Sequence, residues 1–486
     1  MGDNGLSGIK AQPDIGKNYI YRLIHEALGF ALPLITMLYI SRVLGADGVG
    51  NYSYSYSVVT IFMMFALLGT VDYGEREIAR NRDDAGLRSK LFWEIEIMSA
   101  VICLVCMIAW IVPVIADPVH RPFFLALTPF LLGSMFDISW FFTGLERIGR
   151  MVAANAAVRI FGVILVFVMV RSGSDLVLYC LITSLTMLAA NLAMWPGLAK
   201  YLVRVSISDL SIFRHFRETV IYFLPTVATS IYTVLDKTLI GLITGDPFQN
   251  GYYELSARII GVADGVSFVV LNFVLVARMS YLFTFKERDE LRRIIEGSMD
   301  IILFMCFGTA FGLLGISHNL VPVLFGEGYA PVEMLIYMML PLIPVIGISN
   351  CLGSHYYVPA GKRGISAIYI VSGAVTNLIL NLCLIPFFGA RGAVAASLAA
   401  EILITSLFLK NCDGYLSPGR IAALSYKRIL TGIVMAAAVY MLGLLPLGRP
   451  LVLIIQLISG FIIYAGILTA SGDTAVKGVF ERIKLR

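Results

Sequence analysis

Five basic side chains fall inside long apolar runs of this chain: Arg22, Arg159, Arg217, Lys237 and Arg258. The acids Glu26, Glu94, Glu96, Asp137, Asp236, Glu254, Asp264, Asp300 and Glu401 share those runs. A charged side chain at mid-bilayer costs ~2.5–3.5 kcal/mol on insertion scales, so such groups face protein or water and mark function by default. Arg217 with Glu218, and Glu94 with Glu96, stand within about two turns of a run's end and are read as reaching the interface. The informative group is Arg22/Glu26, Asp236-Lys237 and Glu254/Arg258, with Asp264 near. Arg22 and Glu26 are spaced i, i+4, as are Glu254 and Arg258, so each pair shares a helix face. Two readings stand. The pairs are self-neutralising intramembrane salt bridges, or they build a cationic binding region for an anionic head group. Lys and Arg suit a pyrophosphate because they neutralise charge and donate several hydrogen bonds in low dielectric. A buried carboxylate can also carry a coupling proton, and Glu26, Asp236 and Asp264 are the candidates.

Other chemistry is sparse. His25 and His355 stand at the cytoplasmic ends of runs, where a proton relay competes with the commoner role of a satisfied interface histidine. Trp140, Phe141 and Phe142 could stack on sugar rings, but an interfacial aromatic belt is the cheaper reading. The seven cysteines sit almost entirely in apolar runs. The C-x-x-C of Cys103 and Cys106 lacks any βαβ context and reads as packing. No H-E-x-x-H, Walker loop, G-x-S-x-G or metal cluster occurs. No resident cofactor or metal is expected, and neither is a self-contained ATP-driven pump.

The elements that must position these residues follow from composition. The chain has 486 residues, of which 58% are hydrophobic and 14% charged, against roughly 45–50% and 25% in ordinary globular domains. Since a single core stops growing near ~250–300 residues, the excess is not one oversized soluble domain. Soluble enzymes, disulfide scaffolds and nucleic-acid binders fit poorly. At ~20 residues per crossing, about fourteen spans are expected, at roughly 19–40, 52–71, 91–115, 122–143, 153–170, 175–196, 217–243, 253–275, 294–315, 332–354, 366–386, 393–409, 429–446 and 450–470. Continuous apolar runs predict helices and not a barrel. The N-terminal run reads as a retained helix, since it lacks a small-x-small cleavage site, and Leu6 stands where a myristoylation signal wants Ser or Thr. Of 37 basic residues, 27 fall in the tails and loops on one side and 5 in the loops on the other, which predicts both termini in the cytoplasm. The longest outer loop has about 16 residues, too few for a catalytic domain.

A repeat of six spans is visible. Phe30-Ala31-Leu32-Pro33 in the first span answers to Phe223-Leu224-Pro225 in the seventh, and Asn51-Tyr52 to Asn250-Gly251-Tyr252-Tyr253. Trp140-Phe141-Phe142-Thr143-Gly144 at the end of the fourth answers to His355-Tyr356-Tyr357-Val358-Pro359 at the end of the tenth. The fold class expected is an all-α integral membrane protein: a lobe at 1–216 (helices 1–6), a lobe at 217–412 (helices 7–12) related by an axis along the membrane normal, and 413–486 carrying helices 13–14 and a tail. Such repeats are typical of transporters that work around a midplane site.

An ordered set of motifs carries a resemblance. The segments KNYIYRLIHEALGFALPLITMLYISRVLGADGVGNYSYSYS (17–57), YGEREIARNRDD (73–84), FDISWFFTGLE (136–146), IYTVLDKTLIG (231–241), NGYYELSARI (250–259), FGEGY (325–329), SNCLGSHYYVPAGKR (349–363) and NLILNLCLIPFFGARGA (377–393) resemble, in family order, the Wzx-type oligosaccharide flippases of the MOP superfamily. The resemblance implies a fourteen-helix inner-membrane transporter and not an enzyme. Such a protein moves undecaprenyl-pyrophosphate-linked oligosaccharide repeat units from the cytoplasmic to the outer leaflet by alternating access, with H+ or Na+ coupling in some members, alongside polysaccharide polymerase and chain-length machinery. Arg42, Asp236, Lys237, Glu254 and Arg258 stand at motif positions. Arg22, Arg42, Arg159, Lys237 and Arg258 are then the expected cationic cavity. Glu26, Asp236, Glu254 and Asp264 are the coupling or charge-balancing acids, and Trp140, Phe141, His355 and Tyr356 the gate. Departures are Thr143 for a Gln, Arg258 for a Lys, Ala277 for a Pro and His355 for a Gln. The alternatives are a peptidoglycan-precursor flippase or a cation/drug antiporter of the same superfamily. A membrane polymerase or glycosyltransferase would need a larger outer loop, and an assembly scaffold would not need mid-membrane charges.

Overall fold

The structure, a computed structural model, describes residues 15–269 and 288–475 together with Met279 and Phe283. Among the described residues it is helical and contains no strand. In lipid every backbone N–H and C=O must be satisfied within the segment, which a helix alone achieves in an open chain. The chain forms two compact units, Met1–Ser230 and Ile231–Arg486.

The first unit contains α1 (Ile15–Val43), α2 (Gly45–Leu67), α3 (Thr70–Arg80), α4 (Ala85–Ala116), α5 (Arg121–Ser134), α6 (Ser139–Gly144), α7 (Ile148–Met169) and α8 (Leu176–Leu192). Local chemistry sets the breaks. Leu68 and Gly69 take positive φ values of 40° and 72° between α2 and α3, a conformation that glycine adopts without a Cβ penalty. Asp84 caps α4 by accepting the Leu87 N–H at 2.9 Å, satisfying one of its orphan donors. The expected fourth span is interrupted between α5 and α6. Packing runs α5 on α8, α2 on α4 and α1 on α7. At one end lies an aromatic core of Phe92, Trp140, Phe141 and Phe142. Gly74 allows α3 to reach it, since a Cβ there would stand 2.5 Å from the Trp140 ring.

α9 (Phe216–Thr244) runs from the first unit into the second. The second unit continues with α10 (Pro247–Asp264), which passes into a π-turn at Gly265–Val269, then α11 (Arg288–Phe325), α12 (Ala330–Met339), α13 (Leu342–Leu352), α14 (Arg363–Phe388), α15 (Ala390–Lys410), α16 (Pro418–Leu442) and α17 (Arg449–Ala470). The α12 segment and the stretch Leu342–Tyr357 are bent by 42°, so the tenth expected span is broken, whereas Arg121–Gly144 passes as one span across the interruption between α5 and α6. α14 packs on α15, and α16 and α17 pack on α11. Arg428 fastens this last pair at one end. It is fully buried, with Nη2 2.5 Å from Asp300 Oδ1 and 2.9 Å from Asp473 Oδ1. At the other end, Gln456 donates to the Val439 carbonyl at 2.9 Å and Asn319 to that of Gly443 at 3.1 Å.

Among the described residues, ten helices are long and apolar enough to cross a membrane, and the bent pair makes an eleventh if it is one span. Helices lie within each expected span as far as it is described, the end of the eighth falling outside the described residues. Helix α10 carries Glu254, Arg258 and Asp264 within its 18 residues, which sets it apart from the apolar ten. Exposed apolar stripes mark the lipid-facing sides. On α14 these are Ile368, Val371, Val375, Ile379 and Leu382; on α17, Ile454, Leu457, Ile458, Phe461 and Ile462. Patches of this size on a soluble monomer would drive association.

Candidate functional site

Asp236 and Lys237 are consecutive on α9, so their side chains leave the helix about 100° apart. Lys237 turns to α10, where its ammonium pairs with Glu254 Oε2. Arg258, one turn beyond, donates from Nε to Glu254 Oε1 at 2.7 Å. The i, i+4 spacing with the acid N-terminal to the base is the favourable order. The carboxylate is the buried member, with its side chain 6% exposed, against 22% for Lys237 and 43% for Arg258. Asn250 ties the two helices, donating its amide to the Lys237 carbonyl at 2.9 Å. Two cations thus share one buried acid. The trio is net positive, and its cationic ends are the accessible ones.

Asp236 turns the other way and is buried. Tyr253 Oη, Ser397 Oγ and Asn381 Nδ2 each donate to it at 2.5 Å. Asn381 also donates to Asn377 Oδ1 at 3.0 Å, and Asn377 to Ser397 Oγ at 3.1 Å. Four helices (α9, α10, α14 and α15) therefore converge on one carboxylate through uncharged polar groups. Asn381 Oδ1 is buried with no hydrogen-bond partner. Asp264, at the end of α10, has a buried Oδ1 without a partner and feels the charge of Glu401 on α15.

The expected residues separate accordingly. Lys237, Glu254 and Arg258 come together; Asp236 is adjacent but in its own network. In the first unit, Arg42 is exposed at the end of α1. Arg159 on α7 lies where the charge of Asp137 acts on it. The side chains of Arg22, His25 and Glu26 lie outside the described residues, as does Ala277.

Three expectations are corrected. Trp140, Phe141 and Phe142 are not a lipid-facing belt: they are buried, and Trp140 stacks on Phe92 with ring centroids 5.6 Å apart. The apolar area of three large rings is more favourably hidden in protein than left at the interface. His355 is likewise fully buried, 3.5 Å from Cys351 Sγ through Nδ1, in the π-turn Gly353–Tyr357. Glu94 and Glu96 are not solvated: both are buried. Glu94 is buried and accepts from the Ser211 N–H at 2.7 Å, with Arg214 Nη2 at 2.7 Å and His215 Nε2 at 3.0 Å; His215 Nδ1 lies 2.6 Å from Tyr73 Oη. The linker before α9 docks on that carboxylate, which burial would otherwise leave unpaired.

Tyr356 donates to Asp413 at 2.5 Å, and Lys362 pairs with the same carboxylate. Asp413 lies in the turn after α15. The hydrogen bond from Lys362, and then that from Tyr356, hold its carboxyl below the ordinary value. Motif reading missed Tyr253, Asn377, Asn381 and Ser397 around Asp236. The i, i+4 asparagines in an otherwise apolar run were the available signal. It also missed Arg428, which stood at the edge of a span and counted as a loop charge.

Comparison with known proteins gives the family and the fold. The family described as polysaccharide biosynthesis protein matches residues 15–283. A protein of Shigella dysenteriae named for O-antigen transport is 25% identical over 407 residues, covering 81% of this chain and 99% of its own. A like-named protein of Escherichia coli (strain K12) is 25% identical over 405 residues, covering 81% and 95%. A protein of Haloferax volcanii named as a flippase of low-salt glycan biosynthesis is 24% identical over 423 residues, covering 83% and 84%. Among solved structures, the lipid II flippase MurJ superposes with a TM-score of 0.73 at 14% identity, over 96% of this chain and 100% of that one. The MATE multidrug transporter DinF-BH gives 0.54 at 17% identity, over 82% and 95%. These two share the fold.

Proposed function

The chain belongs to the polysaccharide biosynthesis protein family, and from that premise we propose that it is a flippase for lipid-linked oligosaccharides. In this reading it crosses the inner membrane fourteen times, as two six-helix lobes and a terminal pair, with both termini in the cytoplasm. It carries undecaprenyl-pyrophosphate-linked repeat units from the cytoplasmic to the outer leaflet by alternating access. The observation that supports it best is the net positive trio Lys237–Glu254–Arg258. A pyrophosphate arriving there exchanges its water for an ammonium and a guanidinium already oriented by Glu254, and charge-assisted hydrogen bonds of that kind are roughly twice as strong as neutral ones. The prenyl tail stays in lipid, since each CH₂ moved into water would cost ~0.8 kcal/mol. A cation exporter would be served by an acid-dominated site, and this trio has the opposite sign.

Coupling to H+ or Na+ is part of the reading, with Asp236 as the seat in the second unit. The Tyr253 and Ser397 hydroxyls donate to it here, and on rotation they offer lone pairs instead. Asn381 Oδ1 is an open oxygen beside them. The test uses cells lacking their own flippase. Lys237→Ala and Arg258→Ala should each abolish surface polysaccharide while the protein inserts at wild-type level. Normal polysaccharide in both variants would overturn the assignment.

A further inference from the structure

Glu94 stands on the side of α4 that should meet lipid, yet it is buried. Val101, Val105, Ile108 and Val112 form the exposed apolar stripe of that helix. Glu94 precedes Val101, Val105 and Val112 by 7, 11 and 18 residues, each within about 20° of whole turns at 3.6 residues per turn. It is therefore in line with them. From Glu94 to Ala116, the last residue of α4, the helix rises ~33 Å at about 1.5 Å per residue, roughly one hydrocarbon thickness. The carboxylate thus lies at the edge of the apolar layer, with Arg88 and Ser89 beyond it.

What hides Glu94 is the segment 201–215 between α8 and α9. Ser211 donates its N–H to Oε1 at 2.7 Å, and Arg214 and His215 pair with Oε2. The other end of the segment is fastened farther out. Arg88 Nη2 donates to the Tyr201 carbonyl at 2.7 Å, and the Val203 N–H donates to Ser89 Oγ at 2.9 Å. Tyr201 and Leu202 turn inward onto the aromatic core of Phe92 and Trp140. The outward side chains are apolar and basic. Ile207 is 83% exposed and Phe213 63%, with Val203 and Phe216 also exposed. Lys200, Arg204, Arg214 and Arg217 are exposed as well, against the acids Asp209 and Glu218. A segment that covers part of a lipid-facing stripe presents its own outer side to lipid. There, apolar side chains sink below the headgroups while the cations stay with the phosphates.

We propose that residues 200–217 form an interfacial anchor that binds anionic phospholipid headgroups in the leaflet beside the start of α4. Ile207 and Phe213 enter the acyl boundary, and Lys200, Arg204 and Arg217 meet the phosphates. Arg214 is divided between Glu94 and that surface. Lifting the segment would leave Glu94 facing lipid without its cation and its N–H donor, which is costly, so the anchor stays docked. The anchor rests on membrane residence and not on the flippase reading, which the Lys237 and Arg258 variants test separately.

Photo-crosslinking tests this. Ile207 and Phe213 are each replaced by benzoylphenylalanine, and the purified full chain is irradiated in nanodiscs of equal parts phosphatidylcholine and phosphatidylglycerol. Mass spectrometry should find lipid adducts at both positions, with phosphatidylglycerol enriched severalfold over its share of the bilayer, as cations beside an anionic surface require. The enrichment should fall to the bilayer's own proportion when Lys200→Gln, Arg204→Gln and Arg217→Gln are combined. Should that variant fail to insert, Arg204→Gln alone carries the comparison and should lower the enrichment partway. Absence of lipid adducts at both positions, adducts in the bilayer's own proportion in the wild type, or enrichment unchanged in the variants overturns the proposal. Protein adducts in place of lipid after irradiation of intact cells overturn it too, and assign the surface to a protein partner.

Discussion

Asp236 and Lys237 are adjacent in the chain but do not neutralise one another. The carboxylate is enclosed by Tyr253, Asn381 and Ser397, and the ammonium pairs across to Glu254. One helical step of about 100° thus separates an uncharged polar nest around an acid from a net positive surface. The acid therefore does not quench the site beside it.

Glu254 is the member of the trio whose loss should destabilise most. Removing one partner of a buried pair leaves an uncompensated charge and costs about 3–5 kcal/mol, whereas the cations are partly solvated. Glu254→Ala is expected to lower the thermal midpoint of the purified protein clearly more than Arg258→Ala does. Equal midpoints for the two variants would show that the carboxylate is not the buried anchor.

Arg428 holds α16 to α11 and to the turn after α17 through Asp300 and Asp473. Arg428→Ala leaves two carboxylates facing a void and should cost about 3–5 kcal/mol. Arg428→Lys keeps the charge but not the fork that contacts both acids, and should fall between. Hydrogen exchange should rise in α16 and α17 before it rises in α4. Uniform exchange across the chain would count against a local clamp.

Asp413 supplies a pH dependence with a definite sign. Its folded carboxyl lies below the ordinary value, chiefly through Lys362 and then Tyr356. Its contribution is therefore fully present above the unfolded value, about 3.9, and is lost as pH falls through the folded one. Protection of the turn at 411–417 against hydrogen exchange should decline at the acid end in the wild type. In Asp413→Asn it should be weak throughout and nearly flat with pH. A flat profile in the wild type would remove Asp413 as the titrating group.

Membrane residence, helical class and the charge pattern of the second unit were legible from sequence, because each rests on local rules. Apolar run length sets a crossing, and i, i+4 spacing places Glu254 and Arg258 on one face whatever surrounds them. The partners of Asp236 were not legible. Tyr253, Asn381 and Ser397 come from three other helices, and only tertiary packing converts isolated polar residues in apolar runs into one network. The same holds for Trp140 and for Glu96. An aromatic triplet near a span's end reads equally as belt or core, and an acid two turns in reads equally as interfacial or buried. What decided each was which helix lay against it, because burial belongs to the packed surface and not to a residue's distance from the end of its own helix.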